Sequence, residues 1–228
     1  MKNLLFITGL MMLSLITEAQ TNYSGAYGYT LKPKRNANNN KEATGPSGKL
    51  VLLKMEGNKY RFWLDVTIGA PSYNSGETDG TITIINDTAS FDNTFEDALN
   101  PCILKFKVED NLVLISSASN SFNCGFGNNV SADGAYTKLK EQPVINNEWL
   151  KKQYHQSPTI EITGNKVELF QDENCQHPFV KKQFFNKGQK LPGIAETEKT
   201  YYVEEISADG KLIYGWIKKT AVKIVDSH

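Results

Sequence analysis

Three histidines, His155, His177 and His228, and three cysteines, Cys102, Cys124 and Cys175, are the residues from which nucleophilic or metal chemistry would have to be assembled. Cys175 and His177 stand two apart, which on an extended segment puts both side chains on one side. A Cys–His hydrolase needs more: a partly desolvated thiolate, a base at hydrogen-bond distance and a third group that orients the base. The polar stretch around Cys175, with Asn174 and Gln176 beside it and Pro178 beyond, offers little desolvation. His155 falls in a polar connector and His228 is terminal. No Cys/His set has zinc spacing. Asp87, Asp92, Glu96 and Asp97 gather acid around a turn and a strand, but in no calcium-loop spacing. Asp65 and Glu77, flanked by Trp63 and Tyr73, are the carboxylates to weigh for glycoside cleavage; strand carboxylates face water, and a small barrel offers a shallow cleft. The expectation is therefore a non-enzyme, with no catalytic residue, no metal site and no cofactor.

Recognition is the chemistry these side chains favour. Tyr202, Tyr214 and Trp216, with Lys181, Lys182, Lys218 and Lys219 near them, would form an aromatic-lined groove with adjacent donors. Such a surface suits a peptide stem or a sugar. Trp63, Tyr73 and the Asn123–Asn129 loop form a second candidate, at a barrel mouth or rim. In both places the competing reading is packing, with the rings filling a core or sealing a barrel end.

The elements that must position these residues are strands. Residues 102–139 organise the chain: Leu104 to Val108 and Leu112 to Ile115 alternate on either side of Glu109-Asp110-Asn111, a hairpin pattern. Cys102 and Cys124 bracket the hairpin and are the expected disulfide, with a loop-closure value of roughly 3 kcal/mol. Cys175 is then left over as an idle thiol. Tyr23 to Thr30, Leu50 to Met55, Tyr60 to Val66, Glu77 to Ile85, Ser90 to Phe95 and Ala135 to Leu139 supply the remaining strands. About eight antiparallel strands joined by short turns avoid exposed edges by closing into an up-and-down barrel. Residues 32–48, rich in Lys, Asn and Gly, are a long loop. Residues 141–158 read as a linker that holds a helical turn or two. From Thr159 about five short strands make a small open barrel, with Asp209-Gly210 a strong hairpin signal.

Charge and the N-terminal pattern bear on compartment. Lys plus Arg and Asp plus Glu each total 25, and the halves on either side of Lys140 are each near neutral. That excludes the basic footprint of a nucleic-acid binder and a polybasic membrane anchor. Lys2, the apolar run Leu4 to Ile16 and Thr17-Glu18-Ala19 read as a signal peptide over residues 1–19, cut after Ala19. The run is too short to span a bilayer, and no later segment spans one. Export permits disulfides.

Residues 159–228 resemble the bacterial SH3-like (SH3b) domain. The resemblance rests on Lys187-Gly188-Gln189-Lys190, Tyr201-Tyr202-Val203 and Gly215-Trp216-Ile217 followed by Lys218-Lys219-Thr220-Ala221-Val222. It implies a strand ending in a one-turn 3₁₀ helix and a final strand. The family's usual Val-Arg-Ser-Gly-Pro opening is replaced here by Val167-Glu168-Leu169-Phe170-Gln171. Residues 20–140 are similar to calycin-type (lipocalin-like) small barrels, through Tyr23-Ser24-Gly25-Ala26-Tyr27, Cys124-Gly125-Phe126-Gly127 and Asp133-Gly134-Ala135-Tyr136. Together the two resemblances imply an exported two-module protein of a Gram-negative bacterium, periplasmic or secreted. The expected function is non-enzymatic binding by a monomer, with the SH3-like module contacting peptidoglycan peptide or an envelope protein. The alternative is an inhibitor or immunity protein whose barrel loops block a wall-degrading enzyme such as a lysozyme.

Overall fold

Alternation of side chains sets the first unit. Tyr60, Phe62, Leu64 and Val66 point to one side of their strand, and Leu104, Phe106 and Val108 to one side of theirs. Such faces bury only when a sheet curls around them. A computed structural model describes residues 21–31, 45–94 and 97–226. The expected leader, residues 32–44 of the long loop, Glu96 and His228 lie outside the described residues. The chain is all-β apart from one short helix and two 3₁₀ turns among those residues.

Eight antiparallel strands form the first unit: β1 (Gly25–Thr30), β2 (Ser47–Lys54), β3 (Lys59–Thr67), β4 (Ser75–Thr83), β5 (Thr88–Asp92), β6 (Ile103–Glu109), β7 (Leu112–Ser117) and β8 (Gly134–Lys138). Their order is β4-β3-β2-β1-β8-β7-β6-β5, so the last strand pairs with the first, Tyr27 opposite Lys138. The nearly closed barrel has its seam between β4 and β5, where a single bridge joins Ile85 to Thr88. That bridge closes a two-residue turn with Asn86 and Asp87 at φ 50° and 60°, the left-handed conformation of a tight hairpin.

Rings fill the rest of the seam. Phe91 lies over Gly80, and Phe126, from the β7–β8 connection, lies over Gly76. The interior is occupied by Tyr27, Tyr60, Phe62, Phe106 and Tyr136 with Leu50, Leu52 and Leu104. Short turns close one end. The other end carries the longer described connections, residues 68–74 and 118–133, with residues 97–102 beside them. The Cys102–Cys124 disulfide ties two of these.

The helix α1 (Asn147–Gln153) follows. Its cap is Asn146, whose side chain accepts from the Trp149 amide; the neighbouring Asn147 accepts from the Ile206 amide. The second unit holds β9 (Thr159–Ile162), β10 (Lys166–Glu168), β11 (Phe184–Asn186), β12 (Lys190–Glu196), β13 (Thr200–Ile206), β14 (Leu212–Lys218) and β15 (Val222–Asp226). Five of these form an antiparallel sheet in the order β14-β13-β12-β9-β15, and β10 pairs with β11. Ile160, Ile162, Leu169, Phe185, Val203 and Ile217 make its core. A 3₁₀ turn, Lys219–Ala221, leads from β14 into β15.

Two stability outcomes follow from the barrel. A Cβ at Gly80 would lie 2.4 Å from a Phe91 ring carbon, so Gly80→Ala should lower the unfolding free energy in urea by about 1–3 kcal/mol; an unchanged midpoint would show that the seam is not packed as described. Replacing both Cys102 and Cys124 by Ser opens a closure with a sequence separation of 22. That should cost about 3 kcal/mol on the same measurement.

Candidate functional site

On β13 and β14 the side chains divide between two faces. Tyr201 and Val203 go to the core of the sheet, and so does Ile217. Tyr202, Glu204, Ile206, Leu212, Tyr214 and Trp216 share the opposite face, as the strand register requires. Ile206 and Leu212 of that face are buried with Val51, Leu53 and Trp63 from the outside of the barrel and with Leu150 of α1. Residues 141–158 therefore connect the two units and also pack between them.

The expected aromatic groove is accordingly shared out. Tyr214 packs edge-on against Phe179, with ring centroids 5.4 Å apart, and against the cluster at the junction. Tyr202 meets Trp216 at 5.5 Å, and its hydroxyl faces the buried Glu204; burial pushes that phenol well above its usual range, and Glu204 adds to the effect. Trp216 is half-buried. Lys218 is exposed, with its ammonium 5.9 Å from the Phe170 ring centroid. Lys182 pairs with Glu168 at 2.9 Å and Lys219 with Glu196 at 2.8 Å.

Trp63 lies on the outer face of β3, between the inward Phe62 and Leu64, rather than at the barrel mouth. It is buried under α1, edge-on to Trp149 at 5.0 Å. Tyr73 does sit at the rim, 59% exposed and at φ 52°, a strained position for a bulky residue. Its loop is tied down: the Tyr73 amide donates to the Gly69 carbonyl at 2.7 Å, and Asn74 Nδ2 donates to the Asn128 carbonyl at 2.9 Å.

A polar cluster that sequence reasoning missed holds the junction. Arg61 of β3 and Glu204 of β13 are 8% and 0% exposed. Arg61 Nε lies 2.8 Å from Glu204 Oε1; the N–H is not aimed along that line, so the contact is ionic rather than an aligned hydrogen bond. Arg61 also donates to Asp79 and, at 2.7 Å, to the Tyr154 hydroxyl. Tyr154 accepts from Trp63 Nε1 at 3.0 Å and donates to Glu204 Oε2 at 3.1 Å. Burial pushes the Glu204 carboxyl above the usual range, with Arg61 pulling the other way. Burial acts to weaken the guanidinium, but Glu204, Tyr154, Asp79 and Tyr202 together more than offset this and raise it.

Beside this cluster lies a cleft of about 510 Å³, between the outer face of β2–β4 and α1. Register puts Lys49, Asp65 and Glu77 in one row across the three strands and Val51, Trp63 and Asp79 in the next. The opposite wall is Trp149, Lys152, Gln153 and His155. Asp65 and Glu77, weighed from sequence as a carboxylate pair, are thus direct cross-strand neighbours in this cleft.

The other sequence candidates are not brought together. Cys175 is buried, and burial raises its thiol above the usual range; His177 Nδ1 lies 3.1 Å from Asp172. Asp87 and Asp92 cap opposite ends of β5, accepting from Tyr23 and Thr94. Among the described residues no group of three His, Cys, Asp or Glu could hold a metal ion, and no helix is long and apolar enough to cross a membrane. Compared with known protein families, with curated proteins and with solved structures, the chain matches none.

Removing Glu204 leaves the buried guanidinium with only the partly exposed Asp79 as counter-charge, so Glu204→Ala should cost about 3 kcal/mol, and Glu204→Gln less. Because the folded carboxyl holds its proton to higher pH than the unfolded one, its contribution to stability falls as pH rises through the raised pKa. Glu204→Gln should remove that component from the pH dependence of urea unfolding; an identical pH slope in the two proteins would contradict the assignment.

Proposed function

We propose that the chain is an exported, non-enzymatic binding protein of the bacterial envelope whose ligand is cell-wall peptide or a segment of an envelope protein. The observation that carries this reading is the cleft between the barrel and α1. It combines two tryptophans with both signs of charge, a lining suited to a peptide that bears amines and carboxylates. The barrel is read as calycin-like with a filled interior, which leaves binding to its outer face and rim. The five-stranded sheet is read as SH3-like, supported by the Gly215-Trp216-Ile217 strand running into a 3₁₀ turn. The disulfide supports an oxidising compartment, the periplasm or beyond it.

A second reading, an inhibitor or immunity protein that blocks a wall-degrading enzyme such as a lysozyme, is favoured by the rim. There Tyr73 and Phe122, each 59% exposed, project from loops tied to one another. Rigid loops with exposed rings lose little entropy when they dock.

Cosedimentation with purified peptidoglycan separates the two. The first reading expects the full chain in the pellet and a clear loss of the bound fraction in Trp149→Ala, with an unchanged circular dichroism spectrum. Loss in Trp216→Ala instead would move the contact to the C-terminal sheet. The second reading expects no pelleting, suppression of lysozyme activity near a one-to-one ratio, and relief of that suppression by Tyr73→Ala.

A further inference from the structure

We propose that the cleft selects the free ammonium and carboxylate head of a diamino-acid residue in a wall stem peptide, and discriminates against the same residue once its amine is acylated. This rests on the first reading above and names the chemistry within it. The cleft is walled by two different elements that present different groups. On the strand wall, Asp65 and Glu77 stand directly opposite each other, both exposed. Like charges at facing positions repel, and among the described residues neither belongs to an ion pair. Lys49, next in the row, is not within ion-pair distance of Asp65. Asp79, one row along, is already engaged by Arg61. The strand wall thus offers two carboxylates whose repulsion a ligand ammonium placed between them would relieve.

The helix wall offers the complement. Lys152 belongs to no ion pair among the described residues, and its carbonyl is within reach of the His155 ring at 3.2 Å. Trp149 is half-buried, fixed edge-on by Trp63, and lines the cleft with its remaining surface. An aliphatic chain ending in ammonium and carboxylate satisfies all three: the chain against Trp149, the ammonium between Asp65 and Glu77, the carboxylate toward Lys152. An acylated amine is neutral and larger, as it is in a cross-linked stem. It would leave the two carboxylates facing each other and desolvated by the ligand. The cleft would thereby distinguish uncross-linked stems from cross-linked ones.

Calorimetric titration of the full chain tests this with a synthetic stem tripeptide ending in the diamino acid, and with the same peptide N-acetylated on the side-chain amine. Acetylation should weaken binding by about tenfold or more, the scale of a lost charge-assisted contact. Asp65→Asn with Glu77→Gln should bind both peptides weakly and alike. Lys152→Ala should weaken both while the preference for the free amine survives. Equal affinity of the unaltered chain for the two peptides overturns the inference and leaves the binding reading standing. Binding to neither peptide nor to whole peptidoglycan removes both.

Discussion

The contact between Arg61 and Glu204 is the constraint on which the arrangement of the whole chain depends. A guanidinium and a carboxylate withdrawn from water each carry a desolvation cost of several kcal/mol unless they are paired and their remaining polar atoms are met. Here the pair spans two units, and Asp79, Tyr154 and Trp63 complete its polar surroundings. Parting the units would return both charges to water. It would also expose Val51, Leu53, Leu150, Ile206 and Leu212 together. The ionic contact is poorly aligned, so apolar burial supplies most of the attraction at the junction. The charged pair sets which face meets which, because any other register would leave a buried charge alone.

This constraint accounts for the connector. A polar segment between two prolines reads as a tether, and residues 141–158 have that composition. Yet Leu150 is buried at the junction, and Tyr154, just past the end of α1, reaches both members of the ion pair. Asn147 adds a bond to the Ile206 backbone across the same interface. A helix of seven residues is marginal alone in water; here the two sheets it bridges supply the packing that holds it.

Much of the fold was legible in sequence because alternation reports a sheet with one face inward. Tyr60, Phe62 and Leu64 gave β3 its inward face, and Leu104, Phe106 and Val108 gave β6 its own. The disulfide followed from the placement of Cys102 and Cys124. The junction was not legible, because its members are far apart in the chain and Arg61 and Glu204 look like ordinary outward strand charges. One local signal was present. Leu50-Val51-Leu52-Leu53 does not alternate, and an unbroken apolar run marks a strand covered on both faces. Trp63, on the neighbouring strand in line with Val51, is then a residue covered from outside rather than a rim ring. The cleft was half legible: Asp65, Glu77 and Trp63 were singled out together, but their opposing wall required knowing where α1 lies.

The position of the cleft follows from how each unit spends its interior. Tyr27, Tyr60, Phe62, Phe106 and Tyr136 occupy the space that a larger barrel would leave for a ligand. The C-terminal sheet is smaller still, and its second face is largely taken up by docking. What concavity there is arises where the curved outer surface of β2–β4 meets a helix that cannot follow the curve. A cleft of that origin is lined by outward strand positions, which carry charge, and by the side of a helix whose rings are fixed by the junction. Its mixed aromatic and ionic lining is therefore a consequence of the same packing that joins the two units, and its shape depends on Arg61 and Glu204 remaining paired.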